Sequence, residues 1–151
     1  MRALLQRCSS ARVRVDGEVV GEIGPGLVAL VGTTHGDSAE QATYLAGKTA
    51  RLRIFPDGAA ATGASVVDLG AAVLVVSQFT LYAETRKGNR PSFLAAGSPE
   101  SARELIELYR AELERLGVPT AAGVFAASMA VELVNDGPFT VLLEREADPA
   151  L

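Results

Sequence analysis

Two short, wholly apolar runs constrain the fold of this chain more than any other feature. They occupy residues 27–31 (Leu-Val-Ala-Leu-Val) and 73–76 (Val-Leu-Val-Val). Neither run alternates apolar with polar residues, as a strand with one face in water would. Each run therefore predicts a β-strand that is buried on both faces.

Two helices are predicted beside these strands. The first begins at Ser38, which forms a capping box with Gln41 and precedes apolar residues at helical spacing. The second begins at Ser98 with Pro99 in its first position, and Gly117 ends it. Two helices are too few for a regular βα alternation. The predicted fold class is therefore α+β, a curved, antiparallel-rich sheet or partial barrel with the two main helices on one side.

Turn residues and short apolar stretches define the remaining segments. Asp16-Gly17 predicts a tight hairpin between two strands. The further predicted strands are residues 2–8, 11–15, 18–23, 53–55, 129–134 and 139–143, and the second apolar run is extended to 72–80. Residues 59–64 are predicted to be a loop, and residues 85–97 a long loop of functional character. Residues 1–144 are assigned to a single domain and residues 145–151 to a short acidic tail.

Composition excludes several classes of protein. A formal net charge of −4 argues against a general nucleic-acid binder, so any contact with RNA must be local. No apolar run approaches the roughly 18 residues that span a bilayer, so no membrane partner is expected. A single cysteine, Cys8, and a single histidine, His35, exclude a disulfide and the common zinc sites within one chain. We expect a cytoplasmic protein without metal or cofactor, with Cys8 in packing and His35 in an exposed loop.

Polar residues follow the second apolar run directly and are the first candidates for a site. Ser77, Gln78 and Thr80 end a buried strand, where polar groups are costly unless they are hydrogen-bonded. A rigid strand end also suits the presentation of hydroxyl and backbone N–H groups to a ligand. A strand end that satisfies itself locally is the alternative. A second polar segment, residues 135–138 (Asn-Asp-Gly-Pro), is predicted to be a turn or an edge, because proline cannot sit within a ladder.

Three segments together resemble one family. Residues 74–81 (Leu-Val-Val-Ser-Gln-Phe-Thr-Leu), 90–93 (Arg-Pro-Ser-Phe) and 133–140 (Leu-Val-Asn-Asp-Gly-Pro-Phe-Thr) are similar, in order and spacing, to the bacterial and eukaryotic D-aminoacyl-tRNA deacylases. The similarity is nearly collinear from residue 2 to residue 144. The chain departs from the family pattern at residues 61–63 (Ala-Thr-Gly), at Ala126, at Ser128 and at Phe139, and both central motifs are intact.

The resemblance implies a homodimeric hydrolase that proofreads translation. Its substrate would be the ester between the 3′ end of tRNA and a D-amino acid or glycine. The resemblance implies that residues 77–80 line the pocket and that a Gly-cisPro dipeptide, here Gly137-Pro138, enters it from the partner subunit. Arg7 stands where the family holds that dipeptide in place, and Asn135 belongs to the same motif. Met129 is a candidate for the wall of an adenine pocket, with core packing as the alternative.

Selection between mirror images favours a repulsive element, because a pocket separates molecules of nearly equal shape poorly. A backbone wall at Gly137 and Pro138 would reject an L side chain and admit a D side chain or glycine. For hydrolysis, the N–H groups of Phe79 and Thr80 are candidates for an oxyanion site. Either Thr80 acts as nucleophile, or the ribose 2′-hydroxyl assists water, which we favour because no base lies near Thr80 in sequence. A deacylase of L-alanyl-tRNA and a non-catalytic module for RNA 3′ ends are alternatives.

Overall fold

A six-stranded mixed sheet, a two-stranded ribbon and three α-helices form residues 1–149, the part of the chain that the computed structural model describes. The strands are β1 (Arg2–Val15), β2 (Glu18–Ile23), β3 (Gly26–Gly32), β4 (Phe55–Asp57), β5 (Ala60–Ala64), β6 (Ala72–Ser77), β7 (Thr120–Ala122) and β8 (Ala130–Glu144). The helices are α1 (Ala39–Arg51), α2 (Val66–Leu69) and α3 (Pro99–Arg115), with a 3₁₀ helix at Phe79–Tyr82. Within residues 1–149, no helix is long and apolar enough to cross a membrane. The α+β class is confirmed, with α2 as an additional short helix.

The sheet curves until it is nearly closed. Its strands run in the order β2-β1-β3-β6-β7, and β8 pairs with β1 along almost the whole length of both strands. The two ends of this order meet, because a side chain at Gly21 in β2 would collide with the carbonyl oxygen of Ala122 in β7. Glycine is therefore required where the curved sheet comes back on itself.

The two apolar runs form β3 and β6, which pair in parallel at the centre of the sheet. Alternate residues face two separate cores, as the absence of polar alternation predicted. Leu27 and Val73 face the helices, whereas Val28 and Leu74 face the inside of the curve. Burial on both faces is confirmed for both strands.

The helices α1 and α3 pack together over one face of the sheet. The Ser38 capping box at α1 and the Ser98 cap with Pro99 at α3 are present as predicted. Between the helices, the hydroxyl groups of Thr49 and Tyr109 form a buried hydrogen bond of 2.8 Å. This bond satisfies two polar groups that burial would otherwise penalise.

Several predicted boundaries were wrong. Residues 2–8 and 11–15 form one strand, β1, and residues 129–134 and 139–143 belong to one strand, β8. Polar or proline residues suggested breaks, but a long partner strand carries the ladder past them through register shifts. Residues 60–64 form β5 rather than a loop, and β6 ends at Ser77 before the 3₁₀ helix. The short β7 follows α3 and was not predicted.

Candidate functional site

A cavity of about 600 Å³ opens where β3 and β6 end. Its walls come from residues 31–33 and 76–79 at the strand ends, from the loop that precedes α3, from the first turns of α3 and from residues 125–131. We call it the β6 cavity. The chain turns here because the Gln78 N–H donates to the Val31 carbonyl at 2.8 Å and the 3₁₀ helix then begins. The polar residues that follow the apolar run, Ser77 and Gln78, therefore lie in a wall of the cavity.

Among residues 1–149, no charged side chain lines the β6 cavity. The predicted site residues Ser77, Gln78, Phe79 and Met129 all do line it. Thr80 lies outside the lining, but its hydroxyl accepts a hydrogen bond from the Gln78 amide. Reaction chemistry in this cavity must therefore use hydroxyl, amide and backbone groups, or groups of the ligand itself.

The entrance of the β6 cavity carries two aromatic side chains. Phe79 is 57% exposed and packs edge-to-face against Phe93, with ring centroids 5.0 Å apart. Exposed aromatic rings at the mouth of a cavity are suited to contact with a flat, partly apolar ligand such as a nucleobase. The backbone N–H groups of Phe79 and Thr80 donate to no other described residue, so they are available to a ligand.

Thr33 is a site residue that the sequence interpretation missed. The residue lines the β6 cavity and is only 2% exposed. Within the described chain its hydroxyl has no hydrogen-bond partner, which is a costly condition for a buried polar group. The signal was present, since Thr33 follows the buried run at residues 27–31 as Ser77 follows the run at 73–76.

His35 does not take part in the β6 cavity. It is exposed, and its Nε2 atom lies 2.7 Å from the carbonyl oxygen of Leu94, which ties two surface loops together. The interpretation of His35 as a loop residue is confirmed.

The second predicted segment lies within β8. Gln6 pairs with Thr140 and Cys8 pairs with Asn135, so residues 136–139 bulge out of the ladder opposite Arg7. We call residues 135–139 the Gly-Pro bulge. Its Gly137–Pro138 peptide bond is cis, and Gly137 has a φ of +134°, a conformation that L side chains rarely adopt. Of the two predictions for residues 135–138, the edge is confirmed, because β8 lies at the edge of the sheet and pairs with β1. The turn between two strands was wrong, because β8 resumes its pairing with β1 beyond the bulge.

Two side chains hold the Gly-Pro bulge. Arg7 donates to the carbonyl oxygens of Asp136 at 3.0 Å and of Ile54 at 2.7 Å. Its guanidinium also lies over the Phe139 ring, 4.9 Å from the centroid. Asn135 accepts from the Phe139 N–H at 3.0 Å and donates to the Thr140 hydroxyl at 2.9 Å. The bulge is therefore fixed by side chains where ladder hydrogen bonds are missing.

Cys8 lies beside the Gly-Pro bulge and is buried. Burial raises the pKa of its thiol, and the negative charge of Asp136 acts in the same direction. The thiol is thus kept protonated, which suits a packing residue rather than a nucleophile.

The predicted site residues fall into two groups that do not meet within one chain. Ser77, Gln78, Phe79 and Met129 line the β6 cavity, and Thr80 adjoins it. Asn135, Gly137 and Pro138 belong to the Gly-Pro bulge, Arg7 holds it, and none of these four residues lines that cavity. The fold and the two groups define a small α+β protein with an uncharged cavity and a separate exposed bulge.

Comparisons with known proteins place this architecture in one family. The family model described as D-Tyr-tRNA(Tyr) deacylase matches residues 4–144. The chain is 54% identical over 144 residues to a protein of Deinococcus radiodurans named D-aminoacyl-tRNA deacylase, covering 95% of this chain and 99% of that one. It is equally identical to a protein of the same name from Thermomicrobium roseum, covering 95% of this chain and 94% of the relative. The chain therefore belongs to the D-Tyr-tRNA(Tyr) deacylase family.

Solved structures agree with this fold. A structure named c-Myc DNA Unwinding Element Binding Protein matches with a TM-score of 0.91 and 35% identity, covering 97% of this chain and 100% of that one. A probable eukaryotic D-amino acid tRNA deacylase matches with a TM-score of 0.80 at 14% identity, covering 94% of this chain and 97% of that one. At that identity, the second match supports the shared fold alone.

Proposed function

We propose that this protein hydrolyses the ester bond between a D-amino acid and the 3′-terminal adenosine of tRNA, with glycyl-tRNA as a further substrate. The observation that carries the proposal is the position of the β6 cavity. Residues 77–79 line the cavity and belong to the segment 74–81 by which the sequence resembles the deacylases. The family model, which matches residues 4–144, includes this segment. The relatives at 54% identity bear the name of this activity.

The terminal aminoacyl-adenosine would occupy the β6 cavity. A volume of about 600 Å³ lies within the range of small-ligand pockets. Phe79 and Phe93 would contact the base or ribose, and Met129 would contribute apolar surface deeper in the cavity. An uncharged cavity that takes only the end of the tRNA is compatible with a net charge of −4, because few phosphates need to be contacted.

Hydrolysis in this cavity would depend on positioning. Water adds to the ester carbonyl, the bond to the ribose 3′-oxygen breaks, and that oxygen leaves with a proton as the hydroxyl of tRNA. The N–H groups of Phe79 and Thr80 would stabilise the oxyanion that forms in between. Since no charged side chain lines the cavity, the neighbouring ribose 2′-hydroxyl is the group that assists water. Gln78 would hold the Thr80 hydroxyl in place.

Selectivity would come from the Gly-Pro bulge of a second copy in a homodimer. Within one chain the bulge is exposed and lies outside the β6 cavity, so it is available to a partner. Arg7 and Asn135 fix the backbone on which Gly137 and Pro138 lie. Carbonyl groups held in this way would collide with an L side chain and leave room for a D side chain or for glycine.

Single-turnover hydrolysis tests the proposal. D-aminoacyl-tRNA and glycyl-tRNA should be cleaved, whereas the L-aminoacyl-tRNA of the same pair should be spared. Preferential cleavage of L-alanyl-tRNA would assign the chain to a different deacylase activity. Binding without any turnover would indicate a module that only captures RNA 3′ ends.

The chemical step is tested separately. A substrate that ends in 2′-deoxyadenosine should lose most of its hydrolysis, whereas Thr80→Val should retain a measurable rate. The matched control is Thr43→Val, at a helix hydroxyl that bonds only to the backbone of its own helix. A Thr80→Val variant that still binds substrate but has lost all hydrolysis would instead make Thr80 the nucleophile.

A further inference from the structure

A second cavity, of about 370 Å³, adjoins the β6 cavity. It lies between α3, the end of β6 and residues 122–125, and we call it the α3 cavity. Ser77, Ile106 and Phe125 line both cavities, so a ligand in one is separated from the other by single side chains. A linear ligand that fills the β6 cavity and extends past these side chains would reach the α3 cavity.

The two cavities differ in charge. In the described part of the chain the β6 cavity has an uncharged lining, whereas Arg103, Glu107 and Arg110 line the α3 cavity. They occupy one face of α3 because residues three or four apart in a helix are neighbours. A ligand that spans both cavities would therefore be uncharged at one end and charged beyond it.

Arg103 and Arg110 are engaged differently. Arg110 donates to the Thr120 hydroxyl at 2.9 Å and lies 3.6 Å from a carboxylate oxygen of Glu114, so its charge is already balanced. The Arg103 guanidinium lies 4.7 Å from the centroid of the Phe125 ring, and it forms no ion pair with a carboxylate among residues 1–149. Stacking on Phe125 orients this guanidinium at the boundary of the two cavities. Its positive charge is still available to pair with an anion.

We infer that the α3 cavity binds the phosphodiester that precedes the terminal nucleotide of the substrate, with Arg103 as its principal ligand. The inference rests on the proposed function, which places the terminal aminoacyl-adenosine in the β6 cavity. The 5′ side of that nucleotide carries the only negative charge near the reacting end. A planar guanidinium pairs with phosphate oxygens through two parallel hydrogen bonds.

Removal of the Glu107 charge tests the inference, because the direction of the change in affinity depends on whether a phosphate enters the cavity. Its carboxylate lines the same cavity and repels a phosphate. Glu107→Gln should therefore tighten binding of a ligand whose phosphate enters the cavity. A cytosine base in the cavity would give the opposite result, because a carboxylate there would accept a hydrogen bond from its amino group.

The binding experiment uses two non-hydrolysable probes. One is 3′-amino-3′-deoxyadenosine with a D-tyrosyl group in amide linkage, and the other is the same unit at the end of a cytidine-cytidine-adenosine trinucleotide. Arg103→Gln should weaken binding of the trinucleotide by about tenfold and leave the mononucleoside unchanged. It should also lower the slope of log affinity against log salt by about 0.7. Arg103→Lys should keep most of that slope, since it keeps the charge.

The matched control is Arg115→Gln, which makes the same change of charge on the same helix. Arg115 is exposed, pairs with Glu112 and lies outside both cavities. The inference is overturned if Arg103→Gln behaves like Arg115→Gln, if it weakens both probes equally, or if Glu107→Gln weakens the trinucleotide. Turnover of D-aminoacyl-tRNA by the unmodified protein is measured alongside. A lack of turnover would refute the proposed function. The probe results would still show whether the α3 cavity binds the phosphodiester.

Discussion

The β6 cavity is concave and apolar and lies where two buried strands end, whereas the Gly-Pro bulge is exposed and lies on an edge strand. In the cavity, apolar packing on both faces of β3 and β6 sets the positions of Ser77–Phe79. In the bulge, two polar side chains, Arg7 and Asn135, set the backbone. Burial thus builds one half of the predicted site and hydrogen bonding builds the other.

Under the proposed function, the difference explains why a second copy would complete the site. A cavity needs walls on several sides, which the core supplies at the end of β6. A bulge on an edge strand projects away from its own core, so it is accessible to a neighbouring copy. The following four variants test this division, beginning with the largest expected effect.

Arg7→Ala should remove the support of the Gly-Pro bulge. Arg7 is mostly buried, with 11% of its side chain exposed, and its loss leaves the carbonyl groups of Asp136 and Ile54 without their donor. We expect the free energy of unfolding to fall by about 3 kcal/mol, measured by urea denaturation. Discrimination between D- and L-aminoacyl-tRNA should fall with it. The control is Arg12→Ala on the same strand, with long ion pairs and a half-exposed side chain, which should cost less than about 1 kcal/mol.

Ala102→Phe should block the β6 cavity without affecting the bulge. Ala102 lies in the first turns of α3 and lines the cavity, so a phenyl ring there would occupy ligand space. We expect kcat/KM for D-aminoacyl-tRNA to fall on the order of 100-fold, with little change in melting temperature. Ala111→Phe places the same ring on an exposed position of the same helix and should leave activity intact. Equal activity of the two variants would mean that the ligand binds elsewhere.

Val134→Lys should act on the outer face of β8, next to the bulge. Val134 is 57% exposed in the single chain, and Leu142 is also exposed. If a second copy covers this face, a buried lysine should weaken self-association by about 2 kcal/mol, measured by analytical ultracentrifugation. Hydrolysis should then depend on protein concentration. If self-association is unchanged, the second copy does not contact this end of β8.

Thr33→Val should stabilise the protein and impair ligand binding. The Thr33 hydroxyl is buried without a partner, so an apolar group of the same shape should raise the free energy of unfolding by about 1 kcal/mol. Its KM for substrate should rise, because Thr33 lines the β6 cavity. Thr49→Val should show the opposite sign, since the Thr49 hydroxyl bonds to Tyr109 and to the Leu45 carbonyl. A destabilised Thr33→Val variant would show that this hydroxyl has a structural partner.

Local patterns in the sequence were sufficient for much of the fold. The apolar runs of β3 and β6, the capping box of α1 and the Asp16-Gly17 hairpin all form as predicted. These features depend on nearest neighbours along the chain. The errors at β7 and in the continuity of β1 and β8 depend on strands that are distant in sequence. The error at β5 is local, since β5 pairs with β4 just before it, and its small residues gave no apolar pattern.

By itself, the sequence determined the buried strands, the caps of the main helices and the polar segments at residues 77–80 and 135–138, because burial and capping are decided by residue type and spacing. Only the tertiary structure decided that the second segment is a bulge within a continuous strand, that Arg7 holds it, and that Thr33 joins Ser77 at one cavity. Those outcomes depend on the pairing of β1 with β8 and of β3 with β6. Long-range pairing determines which side chains meet, and no local pattern in the chain records it.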